Sequence, residues 1–210
     1  VIRQRPNNDI GPLLYELRDG VFTEVVDAFP QLPHNAAYGL NVYDVNLDGL
    51  EDVISSGGRG NPSENVLPHL FINIGTGFVR SRYSSGDFSF VHDVSAFADF
   101  DSDEMIDIVA RVGGGVHFRN TAKLEGALHV TVLGSDGERN QFGRQVRIRS
   151  LQFPDKIMTR IVDGGSGYLS NNQYDLIIGV SEIGAFAVDV RFPDRVVTVP
   201  FVLPGAHITI

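Results

Sequence analysis

Cysteine and tryptophan are both missing from this chain of 210 residues. Without cysteine there is no disulfide, no thiolate metal site and no thiol nucleophile, a composition compatible with a bacterial secreted protein. Long apolar runs are missing too. None approaches the roughly 18 residues of a membrane helix, so no membrane span is expected. Phosphate recognition needs a basic stripe, and none is present; the nearest feature, Arg147 and Arg149, reads as the outer face of a strand. Nucleic acid is therefore not an expected partner. Val1 does not begin a secretion leader, and the extracellular location expected below takes any leader as already removed. Sequons are absent, since Asn61 is followed by Pro62 and Asn120-Thr121 by Ala122.

Catalytic signatures are equally scarce. Gly164-Gly165-Ser166-Gly167 lacks the Gly-x-Ser-x-Gly spacing of a nucleophile elbow, and Gly113-Gly114-Gly115 lacks the third spaced glycine and the helix of a phosphate cradle. Both read as turns. The six histidines (His34, His69, His92, His117, His129, His207) show no His-Glu-x-x-His or other ligand spacing and read as scattered, satisfied side chains. No enzyme is expected, although carboxylates paired for glycoside hydrolysis are a spatial arrangement with no sequence spacing to look for.

What the chain does have is acid in one half. Its net charge is −9; residues 1 to 120 hold 17 acidic and 8 basic groups, whereas residues 121 to 210 hold 9 of each. Two bound dications would cancel four of those nine charges and relieve the self-repulsion of that half.

The acids gather in Asp44-Val45-Asn46-Leu47-Asp48-Gly49-Leu50-Glu51-Asp52, between apolar runs at 40–43 and 53–54. Side-chain oxygens at alternate positions (Asp44, Asn46, Asp48) converge if the chain turns tightly, and Gly49, without a Cβ, tolerates the positive φ of such a turn. The carbonyl of Leu50 and a bidentate Asp52 bring the count toward the six to eight oxygens that Ca²⁺ takes. Asp, Asn and Gly also favour plain turns, so an acidic hairpin turn that binds nothing is the competing reading. The spacing recurs 55 residues later in Asp99, Asp101, Asp103 and Asp107, with Met105 in the place of Leu50 and strand-like runs (Val94 to Ala98, Ile108 to Ala110) on either side. Glu104 stands where Gly49 stood. A left-handed residue with a Cβ costs roughly 1 to 2 kcal/mol, while a fourth carboxylate strengthens the pull on a dication.

Around these loops the order is hairpin, Asp loop, hairpin, Asp loop, strand. "LLYELRDGVFTEV", "YDVNLDGLEDVIS", "HLFINIGTGFVRS", "ADFDSDEMIDIVA" and "VHFRN" resemble the FG-GAP (VCBS-type) repeats that form calcium-binding blades of integrin-alpha-like β-propellers. The resemblance implies Asp44, Asn46, Asp48 and Asp52, then Asp99, Asp101, Asp103 and Asp107, as Ca²⁺ ligands. From Leu128 onward short strands with period-two alternation follow one another: Leu128 to Leu133, Gln145 to Leu151, Lys156 to Val162, Tyr174 to Val180, Phe186 to Phe192, Val196 to Val202 and His207 to Ile210. Such spacing argues a β-sandwich or barrel. "ERNQFGRQVRI", "DGGSGYLS", "LIIGVSE" and "VDVRFPD" are similar to the ASPIC/UnbV domain, which follows FG-GAP-like repeats in cartilage-acidic-protein-like chains. Two departures are Phe192-Pro193-Asp194-Arg195 for the family's Trp-Pro-x-Gly, and Ile177-Ile178-Gly179-Val180 for its Phe-Gly-Leu-Gly.

The expected protein is all-β: an N-terminal arm (1–11), two blade-like repeats with calcium loops (12–122) and a C-terminal sandwich or barrel (123–210). A propeller closes with roughly four to eight blades, so two blades leave edges for another chain, and Val1-Ile2 reads either as an arm donated to a neighbour or as a frayed terminus. The expected function is a non-enzymatic, extracellular, calcium-binding structural or adhesion module, a self-assembling surface or filament subunit whose partners are copies of itself. Two alternatives remain open. One is a carbohydrate-binding or glycan-processing protein, with a cleft lined by Tyr83, Phe88, Phe90 and Tyr168, against which the lack of tryptophan counts; the other is a receptor-like protein-ligand binder.

Overall fold

A computed structural model describes residues 2–4, 12–30, 39–56, 69–81, 95–112, 114–121, 126–165, 167, 170–180 and 184–210. Among them there is no helix, and the strands form several small sheets, none closed into a barrel.

The first sheet holds β1 (Ile2–Gln4), β2 (Pro12–Arg18) and β3 (Val21–Val25) in that order. The turn Asp19-Gly20 takes positive φ at both residues (51° and 79°). That geometry matches the right-handed twist of the strands it joins, and it sets Leu17 opposite Phe22. β1 pairs antiparallel with β2 of its own chain, Ile2 facing Leu14. The N-terminal residues 2–4 thus form a strand on their own chain, at the end of the first sheet.

The second sheet is a four-stranded antiparallel meander of β4 (Gly39–Tyr43), β5 (Asp52–Ser56), β6 (His69–Asn73) and β7 (Phe78–Ser81). The third joins β8 (Ser95–Ala98), β9 (Asp107–Val112) and β10 (Gly114–Phe118). Each Asp loop links the first two strands of its sheet, residues 44–51 between β4 and β5 and 99–106 between β8 and β9. Three small sheets therefore occupy the stretch where two repeats were expected.

The C-terminal strands are β11 (Ala127–Thr131), β12 (Gln145–Ser150), β13 (Ile157–Ile161), β14 (Leu176–Gly179), β15 (Phe186–Arg191), β16 (Val196–Val202) and β17 (His207–Thr209). They form one sheet of order β14-β11-β17 and another of order β13-β12-β15-β16. Alternation decides what they bury. Val146 and Ile148 on β12, with Val188 and Val190 on β15, point into a core that Leu128, Val130 and Ile178 of the other sheet complete. On the outer face Arg149 pairs with Asp189 at 2.8 Å across the two strands.

Two further clusters tie the sheets together. Phe29, Phe71 and Phe78 pack between the first sheet and the second, with Phe29 stacked on Phe78 at 4.2 Å and edge-on to Phe71 at 5.3 Å. Leu47 from the first Asp loop and Met105 and Ile106 from the second join Ile54, Phe97, Ala127 and Ile177. Each loop therefore contributes apolar side chains to a core shared with the C-terminal strands, while Leu50, Phe100, Asp101 and Ser102 stay exposed.

Candidate metal centre

The two Asp loops share one backbone shape. Residues 55 apart adopt left-handed geometry in both, Leu47 (φ 54°) with Ser102 (61°), and Gly49 (89°) with Glu104 (73°). The Glu104 backbone therefore carries the strain that its sequence position implied. Hydrogen bonds repeat with the same offset. Asp44 accepts from the N–H groups of Asp48 (3.0 Å) and Gly49 (2.9 Å), as Asp99 does from Asp103 (3.1 Å) and Glu104 (3.0 Å). Asp48 caps Leu50 N–H and Asp103 caps Met105 N–H. The last Asp of each loop reaches back to its start, Asp52 accepting from Val45 at 3.0 Å and Asp107 from Phe100 at 3.4 Å. The other oxygen of each accepts from an asparagine N–H further along, Asn73 at the end of β6 or Asn120 just past β10.

Surroundings separate the two loops. In the second, oxygens of Asp99, Asp101 and Asp107 lie within 4.8 Å of one another. Three convergent carboxylates suit a hard dication, but they already have partners: the Arg119 guanidinium is ion-paired to Asp101 and Asp103, and the His117 ring contacts Asp107 at 3.0 Å. A cation there competes with the Arg119 guanidinium. The first loop brings no three carboxylates together so closely, yet the charges of Asp44 and Asp48 bear on Asp52. Burial, followed by those charges, pushes the Asp52 carboxyl up to about 7 against two backbone N–H bonds that pull it down. Burial likewise raises Asp44, opposed by the N–H groups of Gly179 and Gly49. Arg160 is the cation of this loop: it pairs with Glu51 at 3.5 Å, donates to the carbonyls of Gly49 (2.8 Å) and Thr159 (3.1 Å), and its charge lowers Asp44 without a direct bond to it. A loop in which burial and neighbouring acids push Asp44 and Asp52 toward the neutral form fits a dication, which would favour their charged form. Leu50 and Met105 differ: the Leu50 side chain is exposed, whereas Met105 is buried in the core.

Sequence reasoning did not reach the contacts that fasten the loops to the C-terminal sheets. Gly179 N–H on β14 donates to Asp44 at 2.9 Å, and a Cβ on Gly179 would overlap the backbone of Leu47. Asn172 donates to Asn41 at 3.0 Å and accepts from Phe97 N–H, while Gln173 accepts from Asp99 N–H at 2.8 Å. Asn120 joins one loop to the other through the Val45 carbonyl. One signal was present: Gly179 interrupts a strand, and a strand glycine often marks close backbone approach.

The histidines correct the sequence reading. His129 and His207 lie in register on parallel neighbours β11 and β17, their rings stacked at 4.2 Å, and both face Glu104. A spacing of 78 residues gives no local motif. Burial, and next the neighbouring His207, lowers the pKa of His129. His34 and His92, the aromatics Tyr83, Phe88, Phe90 and Tyr168, and residues Gly113 and Ser166 of the glycine-rich stretches lie outside the described residues.

A cleft of ≈ 40 Å³ does separate the two regions, between Tyr43, Asp44 and Glu51 on one side and Arg160, Asp163 and Asp175 on the other. A cavity of about 150 Å³ takes a benzene-sized ring, so this one accommodates water rather than a sugar. No helix among the described residues is long and apolar enough to cross a membrane.

No protein-family model matches the chain, and no curated protein matches it. The class it defines on its own geometry is an all-β chain whose acidic loops are clamped between sheets.

Proposed function

We propose that the chain is a non-enzymatic, calcium-ordered structural module, built from FG-GAP-like blades and an ASPIC/UnbV-like sandwich, that works outside the cell by contact with copies of itself. The observation that carries this reading is the position of Asp44, which closes its own loop and holds Gly179 of the C-terminal sheet with the same carboxylate. Acids used this way set the register of backbone rather than transfer protons. Ca²⁺ in such loops neutralises a buried acidic cluster, and the weak affinities of extracellular calcium modules, about 10⁻⁴ to 10⁻³ M, suit permanent filling.

Contact with a second copy is supported by the first hairpin. Among the described residues β3 ends its sheet, and Leu17, Val21, Phe22 and Val26 are all exposed on the β2–β3 hairpin and its end. An exposed apolar strand at the end of a sheet is a surface on which another chain can dock. The β16 edge is blunted by Pro200, which has no N–H to offer. Light scattering in millimolar calcium is expected to give a mass above the 23.0 kDa of one chain. Chelator, or Phe22→Glu, is expected to return it to one chain. A monomer under all conditions would overturn the self-assembly reading while leaving the calcium loops untouched.

A further inference from the structure

We propose that Glu104, His129 and His207 form a binding site for a first-row transition-metal dication of the zinc type, distinct from the oxygen ligands of the Asp loops. One donor atom from each of the three lies within 4.8 Å of the others. His207 Nε2 stands 3.4 Å from Glu104 Oε1, and His129 Nε2 stands 3.7 Å from Glu104 Oε2. Zn²⁺ holds nitrogen and oxygen ligands at ~2.0–2.2 Å in a tetrahedron, whose ligand-to-ligand edge is therefore about 3.3 Å. Both separations are near that edge and long for a strong hydrogen bond.

The second observation is an orphan. His129 Nε2 is buried, its side chain 13% exposed, and among the described residues nothing lies within hydrogen-bond distance of it, the Glu104 carboxylate standing off at 3.7 Å. Leaving a buried polar atom unsatisfied is destabilising, and a metal bound to that lone pair satisfies it. The third is Glu104 itself. It occupies a left-handed position that its counterpart Gly49 fills without strain, and its side chain runs to the histidine pair. Strain held at one position is a pointer to function rather than to stability.

Donor chemistry selects the ion. Imidazole nitrogens favour zinc, copper, nickel and iron, whereas calcium takes oxygen. Two imidazoles and one carboxylate leave a fourth position for water or a ligand on the side of the exposed His207. Rings stacked 12° from parallel, with centroids 4.2 Å apart, carry their lone pairs in separate near-parallel planes, so sharing one ion requires them to splay, and the exposed His207 has room to turn.

The test titrates Co²⁺ alone, and then Zn²⁺, into the full chain in millimolar calcium. One Co²⁺ with the visible absorption of a four-coordinate nitrogen and oxygen site, displaced by Zn²⁺, is the expected result. His207→Ala changes an exposed side chain and is expected to lower affinity more than about tenfold; Glu104→Gln, nearly isosteric, is expected to do the same. Absence of Co²⁺ and Zn²⁺ binding, or unchanged affinity in both variants, would overturn the proposal. So would loss of binding in Asp101→Asn with none in His207→Ala, which would place the ion in the Asp loop.

Discussion

Asp44→Ala is expected to cost about 3–5 kcal/mol, since it removes an acceptor from three backbone N–H groups, of which only Asp48 N–H keeps another, Asn46 Oδ1 at 3.3 Å, and each buried orphan costs about 1–3 kcal/mol. Those donors belong to Asp48, Gly49 and Gly179, and the last is fully inside the contact between the Asp loop and β14. Whole domains hold only about 5–15 kcal/mol, so the variant sits near the limit of folding. Asp99→Ala is the internal comparison. Its carboxylate caps the equivalent pair, Asp103 and Glu104, and among the described residues has no third N–H corresponding to Gly179. Its expected cost is about 2 kcal/mol on the same basis. Urea midpoints of the two variants read the difference directly. Equal losses would mean that the link from Asp44 to the C-terminal sheet contributes nothing.

Gly179→Ala attacks the same junction from the other side. The added methyl would overlap the Leu47 backbone, which has no rotamer to change. Overpacking costs typically ~1–3 kcal/mol where side chains can give way; here loop and strand must part, and the Asp44 bond is lost with them, so about 3 kcal/mol or more is expected. At roughly 2–4 °C per kcal/mol for a chain of this size, melting falls by about 6–12 °C. Gly205→Ala is the control. Its φ is +82° with open space around the missing Cβ, so only backbone strain of about 1 kcal/mol applies. A Gly179→Ala chain no less stable than Gly205→Ala would show that the contact is looser than its geometry.

Local patterns were legible in the sequence, and long-range junctions were not. The seven strands read from residue 128 onward by alternation recur as β11 to β17, with Val196–Val202 unchanged at both ends. Period two is a property of neighbouring residues, so it survives without knowledge of the fold. The turn shape at Gly49 and Glu104 was legible for the same reason, because repeated Asp spacing and one glycine define a local geometry. What could not be read was which surfaces meet. Asp44 with Gly179, Asn41 with Asn172 and His129 with His207 are each joined across at least 78 residues. Their side chains are ordinary for a turn, a polar loop and a strand end, and only the packing of sheets on one another makes them partners. The number of small sheets was missed because β1 (Ile2–Gln4) is short and its pairing partner lies beyond a proline and a polar stretch.

On the proposed reading, protons and calcium compete for the first loop. Asp52 has an unfolded pKa near 3.9 and, without metal, a folded value of about 7. The folded chain thus holds an extra proton between those values, and the stability this group adds at low pH is lost as pH rises through 7. Calcium needs the carboxylate bare, so its effect is largest where the proton has left. Thermal unfolding at pH 8, in millimolar calcium and then in chelator, tests the central claim. At calcium a hundredfold above the dissociation constant, the predicted gain is about 2.7 kcal/mol, a rise of about 5–10 °C that shrinks at pH 6. Melting temperatures that coincide with and without calcium at pH 8 would contradict it.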